Sequence, residues 1–245
     1  MKHLFILGYN AIDYFDSWFK LENYNEDTQF YLIDNGKQQI PDTIKKIHHY
    51  TTNTNLGCAG GWNLICDIAF NTLGLEKVII GEEDAIFNQQ ILDALWNHCT
   101  PDTLMTTYGN GFGYALFCIH KETFNKVGRF DENIMYAAWE DADHKVRCAK
   151  EGVEVFCMEV DSSLNGSSTS FDSNSPRNAI HEHNKQYFIL KWGSDFQKDS
   201  VYYDKPFNNK PPFVFDPILV EHYGNLTKFP SQTEYDKYRN FCKTL

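Results

Sequence analysis

Short apolar runs, each ended at once by a polar or acidic turn, recur along the first third of this chain. They are residues 4–8 (LFILG), 30–33 (FYLI) and 78–80 (VII), and they stop at Tyr9-Asn10, Asp34-Asn35-Gly36 and Glu82-Glu83-Asp84. Such runs predict buried strands. Residues 11–21 have apolar positions at helical spacing, so a strand, a helix and a strand follow one another. This order predicts an α/β fold with a mostly parallel sheet flanked by helices.

The polar residues at the strand ends are the first candidates for a site. Open α/β sheets bind ligands beyond the carboxyl ends of their strands, which points to Tyr9, Asn10, Asp34 and Asn35. Asn35-Gly36 is also a common turn pair, so a simple turn is the competing interpretation.

Other segments predict further elements. Strands are expected over residues 44–51, with His48 and His49 at the end, and over 116–119 and 153–160. Helices are expected over 62–73, 88–98, 122–127 and 178–192, and residues 162–175 are expected to form a long loop. The helix at 62–73 follows a glycine-rich loop, which suits close backbone approach or anion binding.

An acidic turn, Trp139-Glu140-Asp141-Ala142-Asp143, opens a predicted helix over residues 142–151. Such a cluster indicates a helix N-terminus, a metal site or a catalytic base. If Glu140 or Asp141 caps the helix, the other carboxylate is free to face a cleft. Asp143 and Arg147 have the spacing of a supporting ion pair, and a phosphate contact of Arg147 is the alternative.

A second acidic cluster, Glu82-Glu83-Asp84, follows the strand at residues 78–80. An aspartate at a strand exit can hold a divalent cation and, through it, a diphosphate. A solvated strand end is the competing interpretation.

Composition narrows the class of protein. The 245 residues carry a net charge of −11, which argues against a protein that binds nucleic acid mainly through phosphate contacts. The seven cysteines include no C-x-x-C pair, which favours reduced thiols in a cytoplasmic location. The first apolar run is short for a signal peptide, and no run approaches the roughly 20 residues of a transmembrane segment.

Several short sequence motifs occur in a characteristic order. They are Asp34-Asn35-Gly36, N-x-G-x-A-G-G-x-N at 55–63, the acidic turn after 78–80, V-G-x-F-D-E at 127–132, E-D-x-D at 140–143, and N-x-x-Y-F-x-x-K-W-G at 184–193. In this order, over residues 4–193, the chain resembles a family 2 glycosyltransferase of the GT-A type. The resemblance implies a Rossmann-like domain over 1–193 and an aromatic-rich extension over 194–245, packed on the same domain.

The resemblance also implies a function and a set of roles. The function is metal-dependent, inverting transfer of a sugar from a nucleoside-diphosphate donor, with uridine or thymidine diphosphate most common, to a hydroxyl acceptor such as a glycan. Asp141 matches the catalytic base, and Asp84 is the expected ligand of Mn²⁺ or Mg²⁺, with His181 or His183 as a substitute third ligand. The donor-binding residues would be Tyr9, Asp34, Asn35, Asn55, Gly57, Asn63, Glu82 and Glu83. The supporting residues would be Trp139, Glu140, Asp143 and Arg147.

Two other functions stay open at this point. A sugar nucleotidyltransferase is disfavoured because residues 8–13 contain no lysine or arginine to hold a triphosphate. A non-catalytic binding or scaffold protein with a decayed site is supported by Glu82, which stands where the family has aspartate, and by the lack of histidine at 163–166. The extension after Gly193 could cover the acceptor, complete the fold or form a contact between copies in a homo-oligomer.

Overall fold

The computed structural model describes residues 1–9, 27–35, 47–52, 55–83, 85, 87–107, 113–134, 136–158, 176–192, 218–222 and 225–229. The predicted helix at 11–21, the predicted loop at 162–175 and the expected metal ligand Asp84 lie outside these ranges. The division into 1–193 and 194–245 stays a prediction.

One seven-stranded sheet forms the centre of the described structure, in the order β3-β2-β1-β4-β6-β5-β7. Its strands are β1 (Lys2–Gly8), β2 (Thr28–Asp34), β3 (His48–Thr51), β4 (Lys77–Glu82), β5 (Thr103–Thr106), β6 (Leu116–His120) and β7 (Glu154–Cys157). β6 runs antiparallel to β4 and β5, and the other neighbouring pairs are parallel. The predicted fold class, a mixed and mostly parallel sheet flanked by helices, is confirmed.

Five α-helices accompany this sheet in the described ranges. They are α1 (Gly57–Asp67), which continues as a π-helical turn (Ile68–Thr72), α2 (Gln89–His98), α3 (Lys121–Val127), α4 (Glu140–Lys150) and α5 (Pro176–Trp192). A second, two-stranded sheet pairs β8 (Ile218–His222) with β9 (Asn225–Phe229), and β8 contacts α5.

The central strands of the sheet are buried on both faces. Successive side chains of a strand point to opposite faces. Phe5 and Leu7 of β1 therefore join the core cluster under α1, whereas Leu4 and Ile6 join the cluster under α2. Burial on both sides explains why these strands are continuous apolar runs instead of alternating ones.

Boundary predictions were wrong at α1 and β3, and one strand was missed. α1 begins at Gly57, five residues before the predicted start, because the small residues of the glycine-rich loop already lie in the helix. His48 and His49 begin β3 instead of ending it. β5 (TLMT) was not predicted because only two of its four residues are apolar.

Two further observations concern the described residues. None of their helices combines the length and apolar character needed to cross a bilayer. Their six cysteines are all free thiols.

Candidate active site

The carboxyl ends of β1, β2 and β4 lie side by side at one edge of the sheet. Asp34 pairs with the last residue of β1, and Glu82 pairs with the residue before it. Just beyond β1, the backbone N–H of Tyr9 donates a hydrogen bond to the carboxylate of Glu83. Four of the predicted donor-side residues therefore meet at the edge where open α/β sheets bind ligands.

Tyr9 and Asp34 differ in their accessibility at this edge. The Tyr9 residue is 40% exposed, so its ring can stack on a flat ligand. Asp34 is buried, with Oδ2 3.8 Å from Nε2 of His49. The Asp34–His49 contact ties the end of β2 to the edge strand β3, and a contact of Asp34 with a nucleotide stays a prediction.

Asn35 and Asn55 join the end of β2 to the glycine-rich loop. The Asn35 amide donates to Oδ1 of Asn55 at 3.0 Å, and its oxygen accepts from the backbone N–H of Leu56 at 2.8 Å and from the Thr52 hydroxyl at 3.2 Å. Oδ1 of Asn55 also accepts from the N–H of Gly57 at 2.8 Å. Both asparagines are buried, so they fix the shape of the loop, and direct binding of a donor by them stays a prediction.

Gly57 lets the glycine-rich loop touch the segment that precedes α4. Its φ of +66° suits glycine, and a Cβ at this position would lie 2.9 Å from backbone atoms of Tyr136. The next residue, Cys58, donates its backbone N–H to the Tyr136 carbonyl at 2.5 Å. This close approach brings the strand ends and the acidic helix into one region.

Asn63 holds a different loop. Its Oδ1 accepts from the Phe130 N–H at 2.9 Å, and its Nδ2 donates to the Phe130 carbonyl at 3.0 Å and to the Glu132 carboxylate at 2.8 Å. Asn63 is fully buried, so its described role is to fix the V-G-x-F-D-E loop against α1. Its role in donor binding stays a prediction.

The backbone before α4 is strained. Tyr136, Ala138 and Trp139 all have positive φ, at 56°, 78° and 79°. Nδ2 of Asn184 donates to the carbonyls of Ala137 and Ala138 at 3.2 and 3.1 Å and holds this segment on α5. Strain of this kind persists only where surrounding contacts enforce it, and it is concentrated at functional sites.

Trp139 fills the N-cap position of α4 and makes no side-chain capping bond. The idea that Glu140 or Asp141 caps the helix was therefore wrong, because both residues lie inside its first turn. The Trp139 ring packs on Phe188 and on His181, with ring centres 5.1 and 5.7 Å apart.

The three carboxylates of the acidic turn occupy three different environments. Glu140 and Asp143 are buried, whereas Asp141 is partly exposed. Burial, reinforced by the charge of Asp141, raises the pKa of Glu140 well above its usual range. Burial also raises the pKa of Asp141. The hydrogen bond from the Ala142 N–H and the charge of Lys145 lower it, but their effect is smaller. An accessible carboxylate with a raised pKa is a stronger base than an ordinary surface aspartate.

Asp143 belongs to the core. Burial would raise its pKa, but the charges of Lys191 and Arg147 hold it below the usual value. Asp143 accepts from Arg147 Nε at 2.9 Å, from Lys191 Nζ at 2.6 Å and from Trp192 Nε1 at 2.8 Å. The predicted Asp143–Arg147 pair is therefore present.

Arg147 is fully buried, and its Nη1 donates to the carbonyls of Val127 and Arg129 at 3.2 and 2.7 Å. These contacts give Arg147 a supporting role inside the domain, and its alternative role as a phosphate contact is disfavoured.

Lys191 links the acidic turn to the V-G-x-F-D-E motif. Its Nζ lies 2.8 Å from Oδ2 of Asp131, which also accepts from the Tyr187 hydroxyl at 2.7 Å. Oδ1 of Asp131 accepts from the backbone and side chain of Asn133, each at 2.9 Å. One buried ion network thus joins three of the sequence motifs, those that contain Asp131, Asp143 and Lys191.

The potential metal ligands divide into two groups. Among the described residues, Cys58, Glu82 and Glu140 offer ligand atoms within 4.8 Å of one another. His181 and His183 are not members of this group: His181 lies against the Trp139 ring, and burial lowers the pKa of His183 to about 4. The sequence analysis did not single out Cys58, and its place in the glycine-rich loop was the only signal available.

Comparison with known proteins gives fold similarities only. No known protein family and no curated protein matches the chain. Among solved structures, the galactosyltransferase LgtC bound to donor and acceptor sugar analogues matches with a TM-score of 0.43 and 12% identity, over 63% of this chain and 73% of that one.

Two other solved structures represent two enzyme classes. The glycosyltransferase GlyE of Streptococcus pneumoniae matches with a TM-score of 0.40 and 15% identity, over 64% of this chain and 45% of that one. A cytidylyltransferase of Leptospira borgpetersenii matches with a TM-score of 0.42 and 13% identity, over 82% of this chain and 98% of that one. These TM-scores and sequence identities are too low to assign an activity.

Proposed function

We propose that the chain is a glycosyltransferase that uses a nucleoside-diphosphate sugar and Asp141 as its general base. The observation that carries the proposal is that the three carboxylates of the acidic turn lie in different environments. Asp143 is neutralised in the core and Glu140 is buried, so Asp141 is the partly exposed carboxylate of the turn. It lies in the first turn of α4, and the segment before this helix touches the glycine-rich loop where the Tyr136 backbone meets Gly57.

In the proposed reaction, a carboxylate oxygen of Asp141 accepts the proton of the acceptor hydroxyl as that oxygen attacks the anomeric carbon. The bond between this carbon and the diphosphate oxygen breaks at the same time, and the nucleoside diphosphate leaves with the electron pair. A single displacement of this kind inverts the anomeric configuration. General-base catalysis of this type accelerates a reaction by roughly 10²–10⁴-fold.

The donor would lie at the ends of β1, β2 and β4. The exposed ring of Tyr9 can stack on the base, and Asp34 is the proposed partner of the base or ribose of a uridine or thymidine nucleotide. Mn²⁺ or Mg²⁺ is the proposed cofactor, held by Asp84. Glu83, which precedes Asp84 in the sequence, has a partly exposed carboxylate and adds an oxygen donor of the kind that suits such cations. When bound, the cation neutralises charge on the leaving diphosphate.

The test compares wild type with Asp141→Asn. Transfer is measured as nucleoside diphosphate released from a panel of nucleotide sugars with simple glycan acceptors, in Mn²⁺. Nucleotide binding is measured separately by calorimetry. We expect Asp141→Asn to lose about 10²–10⁴-fold in transfer rate while its nucleotide affinity stays within a few-fold of wild type.

Glu122→Gln is the matched control, because Glu122 is an exposed carboxylate in the first turn of α3. It should leave transfer unchanged. Unaltered transfer by Asp141→Asn would contradict the base. Pyrophosphate release from a nucleoside triphosphate and a sugar phosphate would indicate a nucleotidyltransferase instead, and wild type that binds no nucleotide would favour the scaffold alternative.

A further inference from the structure

Three segments that are distant in the sequence bring ligand atoms together beside the strand ends. Cys58 lies in the first turn of α1, Glu82 is the last residue of β4, and Glu140 is the first residue of α4. The thiol sulfur and one carboxylate oxygen from each glutamate all lie within 4.8 Å of one another. Helices, strands and a pinned backbone segment carry these atoms, so their spacing is set by the fold.

Glu140 supplies a second, independent observation. Only 5% of the residue is exposed, and its Oε2 is buried with no hydrogen-bond partner among the described residues. A buried carboxylate oxygen without a donor is costly, and buried charges in proteins are normally paired or bound to metal. Among the described residues, the other members of this cluster are a thiol and a second carboxylate, so a bound cation would offset the negative charge that these groups carry when ionised.

The distance between the sulfur and one carboxylate oxygen suits a small tetrahedral ion. Sγ of Cys58 and Oε1 of Glu82 lie 3.4 Å apart. Around Zn²⁺, bond lengths of about 2.3 Å to sulfur and 2.1 Å to oxygen give a sulfur–oxygen edge of roughly 3.6 Å. This pair, in which the thiol now donates a hydrogen bond to the carboxylate, is within a few tenths of an ångström of that value, and the remaining ligand atoms lie within 4.8 Å.

We propose that Cys58, Glu82 and Glu140 bind a thiophilic divalent cation of the zinc class. The ion replaces the thiol proton, which passes to solvent, and its charge offsets the thiolate and the two carboxylates. Cys58 and Glu82 are partly exposed, which gives the ion a path to the site and leaves a fourth position for water or a ligand. The thiolate distinguishes this site from the all-oxygen set that Mn²⁺ or Mg²⁺ prefers. The proposal does not rest on the proposed function.

The first experiment titrates the reduced, metal-free full chain with Co²⁺ and records its absorption spectrum. We expect a sulfur-to-cobalt charge-transfer band and the strong visible bands of tetrahedral Co²⁺, both removed when Zn²⁺ displaces the cobalt. Cys58→Ser should lose the charge-transfer band. Glu140→Gln should weaken Co²⁺ binding by at least about tenfold, as expected for loss of a metal-site residue.

Cys157→Ser is the matched control, since Cys157 is another partly exposed thiol and its Sγ contacts the Met158 carbonyl. It should keep the wild-type spectrum. A measurement on wild type alone covers the case in which Cys58→Ser does not fold: Zn²⁺ should slow alkylation of Cys58, read by mass spectrometry, while alkylation of Cys157 is unchanged.

Three outcomes would overturn the proposal. They are absence of a thiolate band in wild type, a band that persists in Cys58→Ser, and binding of Mn²⁺ with no dependence on Cys58 and no zinc protection. If Glu82 and Glu140 share a proton instead of binding an ion, wild type will show no thiolate band. All readouts report metal binding and not sugar transfer, so they are independent of the Asp141 test.

Discussion

Gly57 and Gly74 have nearly the same left-handed backbone but different surroundings. Their φ values are +66° and +68°, yet a Cβ at Gly57 would lie 2.9 Å from the Tyr136 backbone, whereas a Cβ at Gly74 would meet nothing within 4 Å. Gly74→Ala should cost about 1–2 kcal/mol, the cost of a left-handed L-residue. Gly57→Ala should cost about 2–5 kcal/mol, because the backbone clash adds an overpacking penalty of about 1–3 kcal/mol.

Urea unfolding of both variants measures the two costs as changes in the free energy of unfolding. The comparison isolates the contact between the glycine-rich loop and the segment before α4, because the conformational cost is common to both positions. Equal destabilisation of the two variants would mean that the Gly57–Tyr136 approach is not tight in solution.

His144 makes the free energy of unfolding depend on pH. It is fully buried against the Phe130 ring at 4.3 Å, with its Nδ1 3.2 Å from the Tyr114 hydroxyl. Burial lowers the pKa of His144 well below its ordinary value of 6.5. Because the folded pKa lies below the unfolded one, the stabilisation is present above pH 6.5 and is lost as the pH falls below it.

The measurement is the free energy of unfolding of wild type and His144→Gln between pH 8 and pH 5. Below about pH 6.5, one such histidine contributes a slope that approaches about 1.4 kcal/mol per pH unit. His144→Gln should remove this part of the slope, and the two curves should run parallel above pH 7.5. Parallel curves over the whole range would contradict a buried neutral imidazole.

α5 stabilises the candidate site through Lys191. Nζ of this fully buried residue lies 2.8 Å from Asp131 and 2.6 Å from Asp143, on two separate segments. Lys191→Met keeps the length of the side chain but leaves both carboxylates buried without their shared cation. This change should destabilise the protein by about 3–5 kcal/mol, the usual cost of removing one partner of a buried ion pair.

Lys185→Met provides the control on the same helix. Lys185 forms a surface pair with Glu182 at 3.7 Å, with both side chains largely exposed. Its loss should cost less than about 1 kcal/mol. Thermal and urea unfolding of the two variants should therefore differ clearly. A Lys191→Met variant as stable as Lys185→Met would show that the network adds no stability.

The sheet as a whole should open from its edges. β1, β4 and β6 lie inside the sheet, and their core positions are almost completely buried. The edge strands β3 and β7 have mostly exposed or half-buried side chains. Hydrogen exchange followed by mass spectrometry should show β4 exchanging only through global unfolding and β7 through local opening of lower free energy. Equal protection of β4 and β7 would contradict this order.

Sequence pattern alone was sufficient for most of the fold. β1, β2, β4 and β6 are apolar runs that end abruptly, and this pattern follows from burial on both faces of a mostly parallel sheet. The Asp143–Arg147 pair was readable for the same reason, since positions four apart on a helix are neighbours. Both features depend on local spacing, which the sequence displays directly.

The tertiary structure decided which of three adjacent carboxylates does what. Asp143 is paired with Lys191 and accepts a hydrogen bond from Trp192, both on α5, and Trp192 lies 49 residues further along the chain. Glu140 instead lies beside Cys58 and Glu82, and Asp141 is partly exposed. No local periodicity encodes these differences, because each one depends on a partner that only the folding of distant segments brings within a few ångströms.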